Sequence, residues 1–99
     1  MKKSFLGKSV LIRADKAGVF VGVLKEKDGQ SVILKNARRL WYWDGAASIS
    51  QIAIHGVNKP ENCKFPEAVI EAQIEGVIEI LPMTEKAVKN INEVKVWSK

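Results

Sequence analysis

The stretch Ala68-Val69-Ile70-Glu71-Ala72-Gln73-Ile74-Glu75-Gly76-Val77-Ile78-Glu79-Ile80-Leu81 decides how this chain is read as a fold. Ile70, Ala72, Ile74, Ile78 and Ile80 fall on even positions, and Glu71, Gln73, Glu75 and Glu79 on odd ones. That is the period of a strand with one apolar face. Ile70, Ile74, Val77, Ile78 and Leu81 also trace a helical stripe. Isoleucine is abundant here, and Gly76 would weaken a helix interior while suiting a β-bulge. The strand reading therefore prevails: one long strand over 68–81.

Working outward, the rest of the chain supplies partners for that strand. Ser9 to Arg13 is a short apolar run suited to a first strand, and Asp15-Lys16-Ala17-Gly18 is a turn. Val19 to Lys25 is rich in β-branched residues. Lys27-Asp28-Gly29-Gln30 carries an Asp-Gly hairpin signal and leads into a strand over Ser31 to Lys35. Arg38 to Ala46 predicts a further strand, with Leu40 and Tyr42 on one face and Trp41 and Trp43 on the other. With Leu40 toward the core, Trp41 and Trp43 share the accessible face with Arg39; the spacing allows the opposite register equally. Ser48 to His55 reads as a helix with capping-box spacing between Ser48 and Gln51, ended by Gly56. A loop follows over Val57 to Pro66. Thr84 starts a second short helix to about Ile91, and Val94 to Trp97 closes the domain as a last strand. The expectation is α+β: a single domain over 1–99, with a curved antiparallel sheet of about five to six strands and two short helices.

Ninety-nine residues support one modest core, burying roughly two-thirds of the unfolded surface. A homo-oligomer would add buried area and a shared pocket. The net charge of +5 is unevenly placed. Ten Lys and Arg face four Asp and Glu through residue 49, against six and seven in the remainder. The first half is the natural face for an anionic partner. Lysines such as Lys2, Lys3, Lys25 and Lys27 also read as residues that solvate turns and strand edges. Cys63 is the one cysteine, which excludes an intrachain disulfide and a Cys-based zinc site and fits a reducing compartment. No apolar run reaches the roughly 18 residues of a membrane span. The opening Met1 to Gly7 begins like a signal peptide, but Lys8 interrupts it. A cytoplasmic protein is expected.

Arg38-Arg39-Leu40-Trp41-Tyr42-Trp43-Asp44-Gly45-Ala46 gathers three of the seven aromatic residues behind two arginines. Aromatic faces stack on a base, and guanidinium groups pair with phosphate in a two-pronged geometry. Alternating aromatics also make a good half-buried strand. By contrast, the catalytic inventory is thin. With one His and one Cys, any triad would need His55 as base, and Ser48 and Ser50 do not share its helical face. Ser48 suits a helix cap, and the helix dipole fits His55 to an anion contact. Glu71, Glu75 and Glu79 lack a nearby His or Asp that would make a metal site, and no phosphate-binding glycine loop is present. No metal, cofactor or catalytic residue is expected. The binding set is Arg38 and Arg39 for phosphate, with Trp41, Trp43 and Phe65 for stacking. Ser48, His55 and Asn62 supply the polar contacts.

The run Ala37 to Ala46, then Ile49, Ile52-Ala53 and Gly56-Val57, resembles a family of small tailed-bacteriophage proteins. Glu79-Ile80-Leu81-Pro82-Met83-Thr84-Glu85-Lys86-Ala87 and Val96-Trp97 fit the same pattern, so the resemblance covers the chain from about Gly18 onward. In class it is similar to the phage anti-defence sponges of the Thoeris type, which capture signalling nucleotides without cleaving them. The resemblance implies a non-catalytic binder of a cyclic ADP-ribose isomer or cyclic oligonucleotide; it carries over no binding residue. Two other readings stand beside it. One is a protein-binding role for the Trp-Tyr-Trp patch. The other is a single-stranded nucleic-acid module, for which a flat aromatic face rather than a deep pocket would argue.

Overall fold

The computed structural model describes residues 4–99. Lys2 and Lys3, read as surface lysines, lie outside the described residues. Five antiparallel strands form one sheet: β1 (Ser9–Ala14), β2 (Gly18–Asp28), β3 (Ser31–Arg39), β4 (Val69–Ile74) and β5 (Val77–Pro82). Two helices, α1 (Ile49–His55) and α2 (Glu85–Asn92), lie outside the sheet, and a 3-10 turn spans Pro60–Asn62. The strand order is β4-β3-β2-β1-β5. The fold is α+β, and no helix among the described residues is long and apolar enough to cross a membrane.

β1 is buried on both faces, which explains its unbroken Val-Leu-Ile run. Val10, Ile12 and Ala14 join an inner core with Phe20, Leu24, Val32, Leu34, Ala37, Ile74 and Val77. Leu11 points the other way, into an outer core with Val21, Leu40, Ile52, Val57, Cys63, Phe65, Ile91 and Val94. The β2–β3 hairpin closes through Gly29-Gln30, with Asp28 paired to Ser31. Gly29 takes the positive φ of the first turn position (58°), which glycine adopts without a Cβ clash.

A bulge in β3 sets the site. Val23 pairs with Lys35 but Val21 pairs with Arg38, so Asn36 and Ala37 together oppose Gly22. Asn36 adopts φ 53°, the one positive φ among the described non-glycine residues. A Cβ on Gly22 would stand 2.9 Å from the Lys35 carbonyl oxygen, so only glycine fits opposite the bulge. The extra residue shifts the alternation by one. Ala37 takes the inner position, Arg38 turns to the outer core and Arg39 to the rim of the inner one.

Three predicted strands are corrected. The 68–81 stretch is two strands rather than one, on opposite edges of the sheet, separated by Glu75 and Gly76. Gly76, at φ 72°, is a corner rather than a bulge. Its carbonyl accepts from the Asp15 amide (2.9 Å), and the Val77 amide donates to the Gln30 carbonyl (2.9 Å). The alternation reads through the corner because Ala72, Ile74 and Ile80 all face the inner core. Ile70 and Ile78 of the same series are exposed, and Val77 takes the inner position after a register shift. The aromatic segment is not a sheet strand either; it makes an isolated bridge between Tyr42 and Lys64. Val94 to Trp97 is irregular, held by the Trp97 amide donating to the Phe65 carbonyl (3.0 Å).

The helix caps follow the sequence. The Ser48 hydroxyl accepts from the Gln51 amide (3.1 Å), and Gln51 accepts in return from the Ala47 amide (2.9 Å). Gly56 ends α1 at φ 78°. Thr84 accepts from the Ala87 amide (3.0 Å) and donates to the Ile54 carbonyl (2.6 Å), so one hydroxyl starts α2 and ties it to α1.

Candidate functional site

The two adjacent arginines, treated alike by sequence, have different roles. Arg38 is 6% exposed. Its Nε donates to the Pro66 carbonyl (2.9 Å), Nη1 to Ile91 (2.8 Å), and Nη2 to Phe65 (3.1 Å) and Val94 (2.8 Å). Burial pushes the Arg38 pKa down, yet a guanidinium stays charged throughout the useful pH range. Four of its five N–H groups serve backbone carbonyls from the loop after the 3-10 turn and from the end of α2. Arg38 is thus a structural clamp. Phe65 lies under it, 5.6 Å from Cζ to ring centroid, and is fully buried. In this conformation neither faces an accessible ligand.

Other members of the predicted set also have local structural partners. Ser48 caps α1. Asn62 donates to the Asp44 carboxylate (3.0 Å), whose other oxygen accepts from the Gly45 amide (2.8 Å). Gly45 has φ 85°, and a Cβ there would come within 2.3 Å of Asn58 Oδ1. No side chain fits where these two loops meet. Cys63 is buried beneath the same junction, its thiol within reach of the Asp44 and Lys59 carbonyls (3.6 and 3.5 Å). Burial pushes its pKa up, which suits a thiol that stays protonated and unreactive. His55 is exposed at the end of α1. Trp43 is half-buried against the outer core.

What remains accessible is a second aromatic grouping, assembled on that loop junction. Trp41 is 64% exposed, Tyr42 51% and Trp97 39%. Leu40 faces the core and Trp41 stands out, but neither strand register holds throughout. Tyr42, expected on the face of Leu40, is exposed, and Trp43, expected beside Trp41, packs against the outer core. The amides of Trp41 and Tyr42 both donate to the Lys64 carbonyl (3.2 and 3.3 Å), and the Lys64 amide donates to the Tyr42 carbonyl (2.7 Å). This pairing holds the Lys64 side chain outward, with its ammonium 5.8 Å from the Tyr42 ring centroid and 5.7 Å from that of Trp97. A recess of about 450 Å³ adjoins it, lined by Pro60, Val96 and Trp97 together with Lys95 and the carboxylates Glu61 and Glu93. Exposed aromatic rings around a cation can stack on a planar group and attract an anion. Among the described residues, no group of three or more His, Cys, Asp or Glu is placed to hold a metal ion.

Tyr42, Lys64 and Trp97 were missing from the sequence-derived binding set. The usable signal was Cys63-Lys64-Phe65, where an outward lysine between two core residues marks an extended segment able to pair with the aromatic run. Trp97 carried no such signal, since it reaches the patch through an irregular tail.

Over residues 7–91 the chain matches the model of a family described as a domain of unknown function (DUF6948), and it belongs to that family. No curated protein matches the chain.

Proposed function

We propose that this protein is a non-catalytic binding module for a base-bearing anionic ligand, which it holds on the Tyr42–Lys64–Trp97 platform, with the exposed Trp41 beside it in the chain. The observation that carries the reading is the Lys64 ammonium held near two exposed rings, 5.8 and 5.7 Å from their centroids. Stacking on such rings is worth roughly 1–3 kcal/mol per base, and the ammonium adds attraction for phosphate. A signalling nucleotide sequestered in the cytoplasm, as the phage resemblance implies, is one ligand of this class. A homo-oligomer would enclose it by setting a second platform opposite the first. The open exposure of Trp41, Tyr42 and Trp97 favours a second reading, a single-stranded oligonucleotide crossing several rings.

Curvature of the sheet belongs to the same proposal. β4 and β5 stand four strand spacings apart in the hydrogen-bonded order, about 19 Å if the sheet were flat. The step from Ile74 to Val77 spans at most about 11 Å. A sheet rolled over its inner core brings the two edges together and leaves the platform on the outside.

The test is native mass spectrometry of the intact chain with cyclic dinucleotides, cyclic trinucleotides, cyclic ADP-ribose isomers and a ladder of thymidine oligonucleotides. A retained nucleotide of unchanged mass supports sequestration and gives the oligomeric state. Binding that strengthens with oligonucleotide length and weakens steeply with salt supports the single-strand reading. Release of a cleaved product, or no binding across the panel, overturns the proposal.

A further inference from the structure

A second accessible cation lies at the rim of the inner core. The Arg39 guanidinium sits over the Phe20 ring, 4.3 Å from Cζ to centroid, and Nη1 donates to the Ala17 carbonyl (2.8 Å). The stack and this bond fix the plane of the group. Yet the only ion pairs within 4.0 Å among the described residues are Arg13–Glu79 and Lys25–Glu71. Arg39 is therefore positioned but not neutralised. It opens on a cavity of about 540 Å³ whose lining includes Phe20, Ala72 and Ile74 as an apolar floor and Lys16 as a second cation. Asp15 and Glu75 share this lining, and neither pairs with Arg39. The Glu75 carboxylate accepts from Ser31 Oγ and Gln73 Nε2 (both 2.7 Å). None of the platform residues lines this cavity.

From this arrangement we infer that the Arg39 cavity is a binding site for a small monocarboxylate with an apolar body. The carboxylate meets the free edge of the guanidinium, and the body lies over Ala72 and Ile74. Bidentate pairing needs a planar, oriented donor fork, which the Phe20 stack supplies. The carboxylates of Asp15 and Glu75 select against a dianion by repulsion. This site does not rest on the platform reading.

The test follows the Arg39 Nε–H resonance of the full chain by two-dimensional NMR during titration with benzoate, acetate, phenyl phosphate and benzamide. Benzoate should move it saturably and bind more tightly than acetate, which lacks the apolar body, and phenyl phosphate, which carries the second charge. Benzamide should leave it unmoved. The R39K variant is followed through the backbone amides of Ala72 and Ile74 in the cavity lining. Relative to the parent read at the same amides, it should weaken benzoate on the order of tenfold, through loss of one charge-assisted hydrogen bond. Arg39 is exposed, so an unchanged amide spectrum elsewhere will show that the variant folds. Equal affinity in R39K, equal binding of acetate and benzoate, or shifts spread over surface lysines overturns the site. Tighter binding of phenyl phosphate than benzoate overturns the assignment to a carboxylate.

Discussion

The two cores on either side of the sheet are built from different materials. The inner core comes entirely from strands, and its members pack through alternating aliphatic side chains and Phe20. The outer core takes only Leu11 and Val21 from strands, and the rest from helices, loops and the tail after α2. Irregular backbone cannot satisfy its own carbonyls, so the outer core needs polar side chains as fasteners. Arg38 fastens four carbonyls, Asn90 brackets Val57 through both its amide and carbonyl (2.8 and 2.9 Å), and Thr84 ties the helices. The inner core is stabilised by burial and by the backbone ladder of its own sheet; the outer one by burial plus side-chain hydrogen bonds that fail when one partner is removed.

The largest expected effect tests that distinction directly. R38A should cost about 3–5 kcal/mol, because it strands buried carbonyls. R39A, one residue away, should stay within about 0.5 kcal/mol. Urea unfolding of both variants measures the gap. An R38M variant as stable as the parent would show that the clamp is dispensable and break the contrast.

Next in size are the cavities. Leu34→Ala in the inner core should cost about 2–5 kcal/mol, and Ile52→Ala should fall in the lower part of that range. Loops around Ile52 can collapse into the space, whereas strands around Leu34 cannot. Equal losses by denaturant titration would mean that the outer core is as rigid as the inner.

A smaller effect concerns Cys63. Burial raises its pKa in the folded state, so the neutral thiol stabilises the fold below the unfolded value. That contribution is lost as pH rises through the higher folded value. Thermal melts between pH 7 and 10 should fall more steeply for the parent than for C63A. Native Cys63 should also alkylate far more slowly than the unfolded chain.

The smallest effect belongs to the surface pair Lys25–Glu71 (2.7 Å), which joins β2 to the edge strand β4 across β3. Its hydrogen bond to Lys25 lowers the Glu71 pKa. The stabilisation is present above the ordinary carboxylate range and lost as pH falls through the lower folded value. E71Q should narrow the difference in melting temperature between pH 7 and pH 3 only slightly, since both groups are exposed.

The inner core was legible because each strand carried its own signal: an unbroken apolar run in β1, β-branched residues in β2, an Asp-Gly turn before β3, and period-2 alternation across 68–81. The caps at Ser48 and Thr84 were equally plain, since a hydroxyl before a helix has one strong use. The outer core was not legible, and the difficulty was specific. Arg38 and Asn62 have the chemistry of ligand contacts, and that same chemistry fastens loops. Only the bulge at Asn36 decides that Arg38 turns inward and Arg39 outward, and one positive φ leaves little trace in a sequence. The corner at Gly76 was hidden because hydrophobic alternation continues through it. Trp97 joins the platform through a tail without periodicity.

That corner has a consequence for the order of events in folding. β1 leaves the ribosome first, but its partner β5 emerges much later: paired Arg13 and Glu79 are 66 residues apart. The β2–β3 hairpin can close at once, while one edge of β1 stays unpaired until β5 has been made. Late closure of so long a loop is a slow step. Refolding after a stopped-flow denaturant jump should therefore fall in the millisecond-to-second range of non-local β topologies. Truncating Ile80 should accelerate unfolding more than it slows folding, while truncating Leu24 should mainly slow folding. Until β5 arrives, the nascent chain presents an open strand edge, and neighbouring copies on one message are the nearest competitors for it.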